Sequence, residues 1–322
     1  LLVQAIKRAS SVVGYRNVYV TTNADLKDTI LNNIDVEFHA NVYTEPAVRD
    51  TGPAIGMMAT RIAAWDPSGV IAFLPADHVI QDSDVFNQVI RGAMDAAKPL
   101  NGLIVVGVKP TEPKISYGYV KQGKALCGYE DFPVYSVERF QEKPDLQTSR
   151  KFLAKGGYFW NSGIVVGRAS QILALLKQYC PRLSAGLDQI AEGLKGPGKD
   201  GLIESVYRGF ERIAFDYAVL EKASNIYMVV GDFGWEDIGS WSSLANVSVK
   251  DKNGNAFSGK AVTIDTDNCL ILAGNKLVAA IGVSNLIVVD TDDVLFICSK
   301  ERDQDVKGLL HSLQQDGEGR YL

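Results

Sequence analysis

The stretch that most constrains this chain is VIAFLPADHVI, Val70 to Ile80. Val70, Ile71, Ala72, Phe73 and Leu74 form an unbroken apolar run, which predicts a strand covered on both faces in a parallel sheet. Pro75 ends the ladder, because it has no N–H to donate and its φ is locked. Asp77 follows at once, so a carboxylate stands at the carboxyl edge of a buried strand, where open α/β sheets bind ligands. The competing reading makes Asp77 a cap for the helix beginning near Asp84, or a residue of a solvated turn.

Strand and helix alternate around this run, the mark of a doubly wound α/β sheet. The opening LLVQAIKRASSVVG reads as an amphipathic helix entered in mid-stride, with Leu1, Leu2, Ala5, Ile6 and Ala9 on one stripe. A strand over Arg16 to Thr22 and a helix from Ala24 to Asn32, capped by Asn23, come next. A second strand is expected at Val36 to Ala40. Beyond it, Thr51 or Gly52 serves as N-cap with Pro53 at the first helical position, and Ile55, Met58, Ile62 and Ala63 turn inward. Further on, the pattern predicts a helix from Val85 to Ala97, a buried strand at Leu103 to Val108 and a strand at VYSVERF. A helix from Thr148 to Lys155 precedes the strand YFWNSGIVVG. Helices at Ser170 to Tyr179 and Leu183 to Leu194 end in a flexible GPGKDG segment. A helix over AFDYAVLEKA and a strand from Ile226 to Val230 complete this part.

Composition shifts at the turn cluster DKNGN, residues 251 to 255, which sets the expected division into a domain at 1–250 and a smaller one at 251–322. The second part carries short β-rich pieces every ten or so residues and a short helix at Asp305 to Leu313. Packing or dimerisation, as in a homodimer, is its expected role. With 322 residues, 46% hydrophobic and 22% charged, the chain has the composition of an ordinary globular protein able to bury a large core. A net charge of −5 argues against nucleic acid as a partner, yet leaves room for a small polyanion in a locally positive or metal-lined pocket. No apolar run reaches the roughly 20 residues of a membrane span, and no signal-like segment opens the chain, so a cytoplasmic location without membrane is expected. Cys127, Cys180, Cys269 and Cys298 match no zinc spacing and read as reduced thiols.

Four segments fall at the ends of predicted strands: LPADH (74–78), SYGYV with EKPD (116–120, 142–145), FWNSG (159–163) and GWEDIGSW (234–241). In this order they resemble the nucleotidyltransferases that make nucleoside-diphosphate sugars, and among these the mannose-1-phosphate guanylyltransferases. IGVSNLIVVDTDDVLFI in the tail is similar as well. The resemblance implies a Rossmann-like mixed sheet followed by a small left-handed β-helical domain. It also implies transfer of GMP from GTP to mannose 1-phosphate, giving GDP-mannose and pyrophosphate. Another nucleotide and sugar phosphate pair, or a non-catalytic GDP-sugar-binding regulatory relative, are the alternatives.

Carried over by that resemblance, Asp77 and Asp237 are carboxylates for Mg²⁺, and with Lys143 they form the catalytic set. Glu142 accepts from a sugar hydroxyl, Lys143 meets the sugar phosphate, Asn161 is a further sugar contact, and Gly118 lets the backbone approach the sugar. Glu45, Thr51 and Gly52 fall in the base-recognition segment. An acceptor at Glu45 suits the N1–H and N2–H donors of guanine. Against these stand blander readings: a helix cap for Asp237, a surface ion pair for Glu142 and Lys143, and a turn stabiliser for Asn161. Arg49 meets a phosphate or pairs with Asp50, His78 supports its turn, and Tyr119, Phe159 and Trp160 are wall. Glu236 stands where the family pattern has a small residue. The family's Gly-rich GGxGTRLxP loop does not occur in these residues, and it is expected upstream of Leu1 rather than lost.

Overall fold

The computed structural model describes residues 1–126, 132–196 and 200–321. Cys127 and the centre of the GPGKDG segment lie outside them. The chain divides into two compact units, Leu1–Trp235 and Glu236–Leu322.

In the first unit, helix Leu2–Val13 packs Ile6 with Val18, Val20 and Phe38. Strands β1 (Val20–Asn23) and β2 (Val42–Glu45) pair in parallel beside it. Asn23 caps helix Ala24–Asn33 as expected, its side chain accepting from Leu26 N at 2.9 Å. The strand expected at Val36 to Ala40 is instead a 3₁₀ segment, Val36–Asn41, and the strand starts only at Val42. Phe38 is buried while Val36 is 79% exposed, so this stretch has one inward residue and no sheet face to fill.

The main sheet comprises β3 (Val70–Phe73), β5 (Leu103–Val108), β6 (Tyr119–Ala125), β7 (Val134–Gln141), β8 (Tyr158–Arg168) and β9 (Ile226–Gly231), with β4 (His78–Ile80) outside it. Its order is β3-β8-β5-β9-β7-β6. The pairing β5–β9 is parallel; β3–β8, β5–β8, β7–β9 and β6–β7 are antiparallel. Among the described strands β3 pairs with β8 alone, so the parallel sheet expected around it is corrected to an antiparallel edge position, and the strand is half-buried. The apolar run is explained all the same: Ile71 and Phe73 pack into one core, Val70, Ala72 and Leu74 into the other. Period-2 alternation places side chains on two faces but carries no information about neighbour direction.

Leu103 to Val106 on β5 are fully buried, with Leu103 and Val105 facing one core and Ile104 and Val106 the opposite one. The first core is closed by helices Thr51–Ala63, Ala169–Tyr179 and Pro181–Leu194, the second by helix Ser83–Ala97 and Phe152 of helix Leu146–Lys155. Helix Asp200–Arg208, which periodicity did not predict, also belongs to the first core through Ile203 and Tyr207. The helix expected over AFDYAVLEKA is reduced to a single wide turn, Asp216–Leu220.

In the second unit, short parallel strands stack with offsets of one coil. Ala256, Leu270 and Ile287 share one rung column, and Ala261 pairs with Val278 in another. Ala256, Leu270, Ile287 and Val289 form the core, with Trp241, Leu244 and Ala245 of helix Trp241–Val247 packed on it. Helix Val306–Gln315 follows the last strand. Cys180, Cys269 and Cys298 are free thiols. Among the described residues no helix is long and apolar enough to cross a membrane.

Candidate functional site

Gly118, Glu142, Lys143 and Asn161 come from three separate stretches and meet in the first unit. A Cβ on Gly118 would stand 2.3 Å from Glu142 Oε2 and 3.2 Å from Asn161 Cβ. Only glycine leaves that space to the carboxylate. Asn161 N donates to Gly118 O at 2.8 Å, which locks the two stretches together. Lys143 sits at φ +43°, in the left-handed region; the following Pro144 disfavours a right-handed helical residue there. Its Nζ lies 3.2 Å from Glu142 Oε1, with the Glu142 side chain only 10% exposed and that of Lys143 56% exposed. A carboxylate this enclosed is no surface ion pair.

Burial first, then the neighbouring Asp216 carboxylate, push Glu142 up to about 7, and Lys143 only partly opposes them. Desolvation acts against the Lys143 ammonium, but Glu142 beside it outweighs that and lifts its pKa. Asn161 Nδ2 donates to Asp216 Oδ1 at 3.0 Å, and Asn161 Oδ1 accepts from Gly163 N at 3.3 Å. Asn161 therefore stabilises its turn and also belongs to this polar group. Burial raises the Asp216 carboxyl too. Tyr119 and Trp160 are buried wall.

Glu45, Thr51 and Gly52 form a second group. Glu45 ends β2, and its Oε2 accepts from the Tyr207 hydroxyl at 2.6 Å. Burial raises the Glu45 carboxyl, and burial followed by Glu45 raises the Tyr207 hydroxyl. The N-cap expected at Thr51 or Gly52 is Asp50, whose side chain accepts from Thr51 N at 2.8 Å, so Pro53 is the third helical residue rather than the first. Thr51 Oγ1 instead accepts from Phe215 N at 2.9 Å. Gly52 N donates to Ile213 O at 2.9 Å, and a Cβ on Gly52 would lie 2.6 Å from that oxygen. Arg49 donates to Arg208 O, and Asp50 faces Arg212 Nε at 3.7 Å.

Asp77 lies just before β4 with its side chain 82% exposed. It caps no helix: Asp82 performs that role, accepting from Asp84 N and Val85 N. His78 Nδ1 accepts from Trp235 Nε1 at 3.0 Å, and His78 Nε2 is 3.9 Å from Asp77 Oδ1. The imidazole thus braces its turn. In the second unit, Asp237 ends strand β10 (Trp235–Asp237), and the adjacent helix is capped by Ser240, which accepts from Ser243 N. Both carboxylates are hard oxygen donors of the kind Mg²⁺ takes, and among the described residues no cluster of three or more His, Cys, Asp or Glu is arranged for a metal. Mg²⁺ ordinarily needs only one or two carboxylates, with substrate phosphates and water completing its shell.

Sequence reasoning passed over Asp216, Glu221 and Tyr207. Asp216 holds Asn161, Glu221 Oε1 accepts from Glu142 N at 2.8 Å, and Tyr207 holds Glu45. The stretch AFDYAVLEKA read simply as a helix, and nothing local marked Asp216 as a site residue.

Residues 2–254 match the family described as Nucleotidyl transferase, and residues 259–313 the MannoseP isomerase/GMP-like beta-helix domain. The chain is 37% identical over 283 residues to a mannose-1-phosphate guanylyltransferase of Klebsiella pneumoniae, covering 87% of this chain and 59% of that protein. It is 35% identical over 283 residues to one of Escherichia coli K12, covering 86% and 58%. It thus spans less than two thirds of the curated relatives' length. A crystal structure titled mannose-1-phosphate geranyltransferase, from Thermus thermophilus, superposes with a TM-score of 0.85 at 27% identity, covering 97% of this chain and 89% of that one.

Proposed function

The chain belongs to the nucleotidyl transferase family, and from that premise we propose that it transfers GMP from GTP to mannose 1-phosphate, forming GDP-mannose and pyrophosphate. The reading is supported by relatives named for that activity at 37% and 35% identity. The observation that carries it is the meeting of Gly118, Glu142, Lys143 and Asn161 around one enclosed carboxylate.

The nucleophile is a phosphate oxygen of mannose 1-phosphate, which attacks the α-phosphorus of GTP while the bond to the β-phosphate oxygen breaks. That oxygen is already anionic, so no general base is required. Proton transfer would contribute about 10²–10⁴-fold, whereas alignment of two bound reactants supplies effective molarities of roughly 10⁵–10⁸ M. Positioning and charge neutralisation therefore dominate. In this reading Glu142 and Asn161 hold sugar hydroxyls, and Lys143, whose ammonium end reaches solvent, meets the sugar phosphate. Glu45 accepts from the guanine edge, with Thr51 and Gly52 shaping the segment around the base. Asp77, exposed just before β4, is the proposed carboxylate ligand of the first unit for Mg²⁺, which when bound would neutralise phosphate charge.

Pyrophosphate release by the full-length protein, measured over a panel of nucleoside triphosphates and sugar 1-phosphates, tests the assignment. GTP with mannose 1-phosphate should have the highest kcat/KM. A clear preference for another pair would overturn the substrate assignment, and GDP-mannose binding with no turnover on any pair would overturn the catalytic one.

A further inference from the structure

The stretch Phe215–Glu221 reaches both groups of site residues. Phe215 N donates to Thr51 Oγ1, Asp216 Oδ1 accepts from Asn161 Nδ2, and Glu221 Oε1 accepts from Glu142 N. The turn is anchored from below, since Phe215, Ala218, Val219 and Leu220 are at most 1% exposed. Single-turn widenings of this kind recur at functional sites.

We propose that Asp216 is a positioning residue for the sugar-phosphate half of the site, dictating which way round the Asn161 amide is presented to the sugar hydroxyls. The inference rests on the functional reading above. Two bonds of opposite polarity clamp the amide: a carboxylate, which accepts, faces Nδ2 at 3.0 Å, and the Gly163 N–H, which donates, faces Oδ1 at 3.3 Å. Turning the amide over would set oxygen against oxygen and N–H against N–H, so one orientation satisfies both neighbours. The second Nδ2 hydrogen and the second Oδ1 lone pair remain for a ligand, one donor and one acceptor at fixed places. A polyhydroxyl ligand offers both partners on adjacent carbons, which is the chemistry such a fixed pair selects. Without Asp216 only the 3.3 Å bond from Gly163 N would hold the planar amide, which could then turn as a whole about its Cβ–Cγ bond.

Calorimetric titration of the full-length protein with mannose 1-phosphate and, separately, with GTP tests this. Asp216→Ala should weaken mannose 1-phosphate binding by about 10-fold or more, the loss of one oriented hydrogen-bond pair, and leave GTP affinity unchanged. Asp216→Asn keeps an oxygen acceptor at the same place and should stay within about threefold of wild type. Equal losses in the two variants would mean that charge matters rather than orientation, and would overturn the proposal. So would equal losses for sugar phosphate and GTP, the mark of a merely structural residue. Should Asp216→Ala fail to fold, the exchange N161D/D216N restores a hydrogen-bonded pair without an amide at 161. It should fold and bind mannose 1-phosphate as weakly as predicted for Asp216→Ala; wild-type affinity would sink the idea. A wild-type protein that binds GTP but not mannose 1-phosphate would instead refute the functional reading beneath it.

Discussion

Glu142 shows how one side chain can be both useful and destabilising. Its carboxyl is pushed from 4.5 to about 7 by burial and then by Asp216. The folded state therefore holds the proton more tightly than the unfolded chain. The favourable contribution is fully present below about pH 4.5 and is lost as pH rises through about 7. Glu142→Gln, always neutral, should be more stable than wild type at pH 8 by up to roughly 3 kcal/mol. That gap should close towards pH 5, as read by urea denaturation at the two pH values; a gap independent of pH would contradict it. Gly118→Ala acts on the same carboxylate, because the new methyl would stand 2.3 Å from Glu142 Oε2. It should raise KM for mannose 1-phosphate on the order of 10-fold to 100-fold while leaving KM for GTP alone. Glu142, Lys143, Asn161 and Gly118 were singled out through the family resemblance of the motifs that carry them, and the structure brings the four together. Asp216 and Tyr207 were not singled out, since each acts on a residue far along the chain and neither sits in a distinctive local pattern.

Among the elements, those whose ends carry their own chemistry were readable. Asn23 caps its helix as expected, whereas the helix expected from Thr148 begins at Leu146 and is capped by Asp145, which accepts from Thr148 N at 2.7 Å. Helix Leu146–Lys155 follows the Glu142–Lys143 pair directly and fixes where Pro144 leads. Asp145→Ala should cost about 1 kcal/mol of stability, measurable by denaturant titration, with no change in the GTP affinity. β5 was readable because a fully buried strand needs an unbroken apolar run. The segment Val36–Asn41 and the turn Asp216–Leu220 were misread for a shared reason. Short apolar-rich stretches fit strand or helix equally well until it is known which face has a neighbour. The N-cap at Asp50 was missed because Pro53 suits any position of the first helical turn, where no N–H is needed.

At the scale of the molecule, the two units have separate cores: Val105, Leu176 and Met228 contribute to one of those in the first, Leu270 and Ile287 to that of the second. Leu270→Ala should destabilise the second unit by about 2–5 kcal/mol, seen as faster amide exchange in residues 256–299. The mannose 1-phosphate affinity assigned to the first unit should persist. Loss of that affinity would show that the site depends on the tail's integrity.

The sequence by itself determined the local facts: which stretches are apolar on both faces, where Pro and Gly stop a strand, that Asn23 caps its helix, and which motifs stand at strand ends. Each depends on neighbours within a few residues, and so survives without the fold. Only the tertiary structure decided the direction of β3 against β8, the use of Gly118's empty space by Glu142, and the clasp of Asp216 on Asn161. Hydrogen bonds and burial act through a few ångströms of space whatever the distance along the chain, and no local pattern encodes who arrives there.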